Sequence, residues 1–542
     1  MFILSSNTLL LPYLDARETI RPKRCEPIPS SAARQRLTHS KEAVSLGFRN
    51  RTRPSRVERE GFVNDCSSFK ERGLFMRKFT RRQFLGVSAK GAGGILLAQS
   101  AVPGLLKHAW AQEKHAEYLK AKINWRQVEG EQIKVLVTPA HYFNKFRAVT
   151  PQFTELSGIK VDFEVIPPRE MREKAMLDLG AKTGNYATHT SDPMFLSLYE
   201  ANKWVDPMDD FLNDPKLTDK AWYNLEDVIP LWRAANSVKG KLYGMPSEGE
   251  ATIHIYRKDI YEQLGLKPPQ TLEEFRDAAK KAHKMDGKIA GAALRGFRGA
   301  GQNVYIWPSL FLAWGGKWFD GSGKPQVNSE AGVKSLEFYC DLLQNYAPPG
   351  VENWNWPEIM EAFAGGNVVQ YIDANSTASI IENPAKSKVA GKIGYQRWPK
   401  GPSGRRVTSI WNWALPINAA LSKKKKIATW LYIEWLTSRP TQFTSAIIKE
   451  GPNSVVRTGV NRISIWSDPE YRKVIGFTPE YADVVLSSMK EDTDANWRPL
   501  VPEWPKIGEL MAVAIQSALV KQSTPKQALD EANAKIAQLM KR

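Results

Sequence analysis

Gln132-Ile133-Lys134-Val135-Leu136-Val137-Thr138 alternates into a run of Val and Leu, the pattern of a strand with a buried face. Arg147 to Ser157 then carries apolar residues at helical spacing, and Lys160 to Ile166 alternates again. Strand, helix and strand in that order make a β-α-β unit, which builds a parallel sheet. Ligands of such sheets sit at the carboxyl ends of the strands. His141-Tyr142-Phe143 and the loop around Ser191-Asp192 therefore become expected cleft positions, with Tyr142 and Asp192 as candidate ligand contacts. Ordinary connecting loops read the same way, so this inference concerns place and not yet chemistry.

Outward from that unit the alternation continues. Thr252 to Tyr256 and Val368 to Asp373 read as strands, and Leu272 to His283, Glu330 to Gln344, Lys424 to Thr437 and Lys506 to Lys521 as helices. Thr271 precedes the first of these helices and Glu274 follows three places later, a capping box. No internal repeat is visible. The fold class is α/β, and a chain of 542 residues is long enough for two lobes with strands crossing between them.

The net charge of +19 suggests nucleic acid until it is divided along the chain. Residues 1–75 and 76–112 each contribute +6, which leaves +7 for all the rest. The longest basic run there, Lys423 to Lys426, reads as a solvated face, and nucleic acid is disfavoured. Met76 opens Arg77-Lys78-Phe79-Thr80-Arg81-Arg82-Gln83-Phe84-Leu85-Gly86, followed by small and apolar residues up to Ala109-Trp110-Ala111. That is a twin-arginine export signal over 76–111, to be removed near Ala111. Residues 1–75, rich in Arg, Ser and Pro, then read as a start-site extension or disordered leader. Of the three cysteines only Cys340 falls in the expected mature chain, so no disulfide forms within one molecule. No later stretch is long and apolar enough for a membrane span. The expected location is the periplasm, as a soluble monomer.

Several segments, in order, resemble extracellular solute-binding proteins, the family that includes maltose-binding and sorbitol/mannitol-binding proteins. They are Gly240-Lys241-Leu242-Tyr243-Gly244-Met245-Pro246, Ile255-Tyr256-Arg257-Lys258-Asp259, and Gly265-Leu266 leading to Pro268 through Phe275. Gly315-Gly316-Lys317-Trp318-Phe319-Asp320, Phe363-Ala364-Gly365-Gly366-Asn367, Tyr371-Ile372-Asp373-Ala374 and Trp411-Asn412-Trp413-Ala414-Leu415-Pro416 are similar to the polyol-binding branch in particular, and Ala528 to Ala532 to the family's last helix. The resemblance, over roughly 130–540, implies a two-lobed periplasmic binding protein fold with interlobe hinge crossings and a ligand cleft. It places 112–254 and 412–452 in lobe 1, and 255–411 and 453–542 in lobe 2. It also implies partners: a small carbohydrate or polyol, an ABC permease and ATPase complex, and the twin-arginine translocase during export. The loop from Tyr186 to Asp192 and the pair Trp354 and Trp356 depart from the polyol pattern.

A sugar or polyol offers hydroxyls and C–H faces, so its site needs aromatic planes beside charged or amide groups. Trp307, Trp314, Trp318, Trp354, Trp356, Trp411 and Trp413 lie outside obvious core spacing. Trp411 and Trp413 share one face if their segment is a strand, and with Trp307 they are the candidate platforms. By position in the matching motifs, Glu250, Arg295 and Asp373 are the polar candidates, with Glu248 as competitor for Glu250. No catalytic residue, metal or cofactor is expected. The rivals are an exported carbohydrate-active enzyme working through two spaced carboxylates, and the same fold holding an oligosaccharide, a polyamine or a glycerol phosphate.

Overall fold

Strand β1 (Gln132–Val137), helix α1 (His141–Ser157) and strand β2 (Lys160–Val165) form the expected unit, with β1 and β2 parallel and Val135 opposite Phe163. The structure is a computed structural model that describes residues 115–448, 456–494 and 497–541. The leader at 1–75 and the export signal at 76–111 lie outside the described residues. Helix α1 begins at His141, earlier than the spacing from Arg147 suggests, because Phe143 and Phe146 already pack one turn apart into the core. Tyr142 thus sits in a helix's first turn. Gly158 ends α1 at φ 71°, donating its N–H to the Thr154 carbonyl at 2.9 Å; a Cβ there would stand 2.5 Å from the Glu129 side chain. Helix α2 (Pro168–Ala181) leads to β3 (Thr188–His189), which completes the order β2-β1-β3.

After the short strands β4 (Val205–Asp206), β5 (Ser237–Val238) and β6 (Lys241–Leu242) comes β7 (Met245–Arg257). The strand expected at Thr252 to Tyr256 is only its second half. The rest of the framework is helix α3 (Leu272–Ala282), α4 (Asn303–Ala313), α5 (Glu330–Tyr346), β8 (Gln370–Ala374), β9 (Ile393–Gln396), β10 (Ile410–Leu415), β11 (Ile417–Asn418), α6 (Lys423–Thr437), α7 (Arg439–Ile447), α8 (Tyr481–Glu491), α9 (Trp504–Leu519) and α10 (Pro525–Met540). The capping box on α3 is present: Glu274 N–H donates to Thr271 Oγ1 at 3.2 Å.

β7 changes partners along its length. Met245 to Ala251 pairs antiparallel with β10, while Thr252 to Arg257 pairs with β8 on one side and β9 on the other. One continuous strand therefore serves two regions. In the first, α1, α6 and α7 surround the β1 sheet; in the second, α4, α5, α9 and α10 pack together and α8 covers β7 and β9. β10 is tied to the first region by reciprocal backbone bonds between Ser191 and Ala414 at 2.8 and 2.9 Å.

Past α7 the chain still packs on the first region. The Arg457 guanidinium lies 4.1 Å over the Phe146 ring, and Arg462 donates to the backbone carbonyls of Tyr223 at 2.7 Å and Thr437 at 2.9 Å. This stretch joins the first region through buried arginines, which carry no hydrophobic period to be read. Among the described residues no helix is long and apolar enough to cross a membrane.

Candidate ligand-binding site

Alternation along β7 puts Glu248 and Glu250 on one face, and the antiparallel register sets Trp413 beside the first and Trp411 beside the second. The two carboxylates meet different surroundings. Glu248 is buried and receives Arg457 Nε at 2.8 Å, an internal ion pair in which burial raises the carboxyl and Arg457 partly restores it. Glu250 is only partly buried and keeps some accessible surface. It accepts from Ser376 Oγ at 2.6 Å and from the Tyr305 hydroxyl at 3.4 Å. Burial pushes its carboxyl up to about 7, against the pull of Ser376 and Arg295. Glu248 is thus held by an arginine, whereas Glu250 has only hydroxyl donors among the described residues.

The second region adds a fork. Arg295 donates from Nε and Nη2 to the two oxygens of Asp373 on β8, at 2.8 and 2.5 Å, and its guanidinium lies 4.2 Å over the Tyr305 ring. Tyr305, from α4, stands edge-on to Trp411 at 5.9 Å. The first region adds another pair: Arg172 of α2 donates to Asp192 at 2.5 Å and sits 6.0 Å over Trp411. Asp192 is 1% exposed and its Oδ1 has no hydrogen-bond partner. Arg498, from the loop before α9, lies 5.4 Å over the same indole and 4.6 Å over Trp497. Phe143 of α1 closes the far side, edge-on to Trp413 at 5.9 Å, and its neighbour Tyr142 has its hydroxyl pushed well above the phenol range by burial and then by Glu250 and Glu248.

Glu250, Arg295, Asp373, Trp411, Trp413, Asp192 and Tyr142 thus converge from three directions: the first region, the β7–β10 pair and the second region. Trp307 does not join them. It is fully buried inside α4, stacked on Phe311 at 5.0 Å and edge-on to Trp318 at 6.1 Å; every residue of α4 is buried, so its indole has only a core to face. Trp356 lies exposed at the surface. Arg172, Tyr305, Ser376 and Arg498 were missed by sequence reasoning. Arg172 sits in Pro168-Arg169-Glu170-Met171-Arg172-Glu173, which reads as a solvated helix face, and Arg498 stands alone between Trp497 and Pro499. The one available signal was the pair Trp497-Arg498, an indole next to a guanidinium.

The arrangement can hold a polyhydroxylated solute: indole faces stand beside two charged forks and one carboxyl. Among the described residues no cluster of His, Cys, Asp or Glu could hold a metal.

Residues 140–443, more than half of the chain, match the family of bacterial extracellular solute-binding proteins. The chain belongs to this family. The solute-binding protein is 28% identical over 398 residues to the mannitol-binding protein of Pseudomonas aeruginosa, an alignment that covers 71% of this chain and 87% of that one. It also superposes on two solved solute-binding proteins of ABC transporters. One, from Agrobacterium radiobacter K84 in complex with ribitol, gives a TM-score of 0.66 at 27% identity. The other, from Agrobacterium vitis S4 with bound D-mannitol, gives 0.65 at 29%. Each match covers 76% of this chain and 99% of the other. The α/β periplasmic binding protein fold is thereby established, and with it a non-catalytic role as the solute-binding component of an ABC transporter, outside the cytoplasm.

Proposed function

We propose that this solute-binding protein captures a sugar or sugar alcohol by closing its two regions around it, and delivers it to the permease of an ABC importer after export through the twin-arginine pathway. One observation carries the reading: a single indole, Trp411, is flanked by Arg172 from the first region, Glu250 on the hinge strand and Tyr305 and Arg498 from the second. Groups from both regions touch a ligand at that indole only when the regions are together, so contacts with the ligand select the closed form. Carboxylates accept from hydroxyls, guanidinium forks donate to oxygens, and the indoles cover C–H faces. The mannitol and ribitol carried by the similar proteins support the same ligand class. A polyamine is disfavoured, because three guanidiniums, Arg172, Arg295 and Arg498, face the site.

Isothermal titration against a panel of hexitols, pentitols, monosaccharides, disaccharides, a polyamine and glycerol phosphate tests this. Saturable binding of one carbohydrate or polyol, lost in Trp411→Ala, is the expected result. Binding of the polyamine or glycerol phosphate alone would replace the carbohydrate assignment.

A further inference from the structure

Around and behind Trp411 stand four guanidiniums and four carboxylates, but only three of the arginines are paired. Arg172 is paired with Asp192, Arg295 with Asp373 and, behind them, Arg457 with Glu248. Arg498 is 4% exposed, and its guanidinium makes no ion pair or hydrogen bond among the described residues. Its contacts are the faces of Trp411 and Trp497. A buried cation without a counter-ion is costly, and two indole faces offset only part of that cost. The strain shows in the guanidinium, which burial draws down to about 10 with Arg172 adding to the pull, while Asp192 and Tyr305 favour the cation. Glu250, the carboxyl not already paired with an arginine, is a poor permanent counter-ion because burial keeps it half protonated near neutrality. Asp192 shows the opposite need: its buried Oδ1 is an acceptor with no donor.

A neutral polyol would satisfy Asp192 through a hydroxyl and leave Arg498 without an anion. We propose that the preferred ligand is a sugar acid, a hydroxylated chain or ring bearing one carboxylate, with that carboxylate received by Arg498 and a hydroxyl donating to Asp192 Oδ1. A carboxylate matches the guanidinium fork in geometry as well as charge. This inference rests on the capture reading above and narrows its ligand class.

The test is isothermal titration of the protein, below neutral pH and at fixed ionic strength, with alditol and aldonate pairs of one carbon skeleton: ribitol with ribonate, mannitol with mannonate. In a pair that binds, the aldonate should bind about tenfold tighter or more, and Arg498→Gln should abolish that margin. Arg498→Lys, which keeps the charge and loses the fork, should retain part of it. Should the Gln variant not fold, salt supplies the second readout: added salt should weaken the aldonate more than the alditol. If the alditol equals or exceeds the aldonate in every pair that binds, the acid is overturned while carbohydrate capture stands. If no member of any pair binds to a protein that melts cooperatively, capture of this ligand class falls with it.

Discussion

Two aromatic clusters lie within the same protein and do different things. In the second region Trp307, Phe311, Trp318 and Trp504 meet ring to ring at 5.0 to 6.1 Å, all nearly or fully buried. Around β10, Trp411, Trp413, Tyr305 and Trp497 are nearly as buried, but Arg172, Arg498, Arg295 and Glu250 are interleaved among them. The first cluster is a core held by apolar burial and ring geometry. In the second, Trp411, Tyr305 and Trp497 each also lie under a guanidinium. What separates the candidate site from a core here is the company the indoles keep.

That contrast can be broken most forcefully in the core. Trp504→Ala should cost about 3–5 kcal/mol of stability while leaving ligand affinity per folded molecule unchanged, measured by denaturant unfolding alongside titration. An equal loss of affinity would erase the distinction between the clusters. In the charged cluster, Asp373→Ala strands a buried guanidinium and should cost about 3 kcal/mol or more, but here affinity falls as well; a variant that loses stability and binds normally would make Arg295 and Asp373 a purely structural pair.

A smaller effect separates the clusters by pH. Burial pushes the Glu250 carboxyl up to about 7, from an ordinary value of 4.5 in the unfolded chain. Between these values the unfolded chain releases a proton that the folded protein keeps, so stability falls as pH rises through that window and the full cost is present above it. The total loss across the window should be about 3 kcal/mol and vanish in Glu250→Gln, as read from unfolding midpoints across pH. The core cluster contributes no such slope. Smallest of all, Thr271→Ala removes the α3 cap and should cost about 1 kcal/mol with no change in affinity; a change would mean that the second region's outer helices are coupled to the site.

The fold was legible where local pattern and tertiary demand agree. The β-α-β start, the α3 cap and the face shared by Trp411 and Trp413 follow from spacing alone. β7 was only half legible, because its first half, Met245 to Ala251, mixes Pro, Ser, Glu and Gly and is a strand only through its pairing with β10. The candidate site was legible on β7 and β10 and at Asp373, where motifs are contiguous. Arg172 and Arg498 escaped because each stands in a sequence that looks solvated, and only the third dimension brings them to one indole. Trp307 misled for the converse reason: α4 is apolar on every side, so no face marks its indole as core.

The most direct measurement is ligand affinity in the double variant Trp411→Ala, Glu250→Gln, compared with the parent after the panel has identified the solute. A folded double variant that no longer binds is the predicted result. Undiminished binding would place the ligand elsewhere in the molecule and contradict the account.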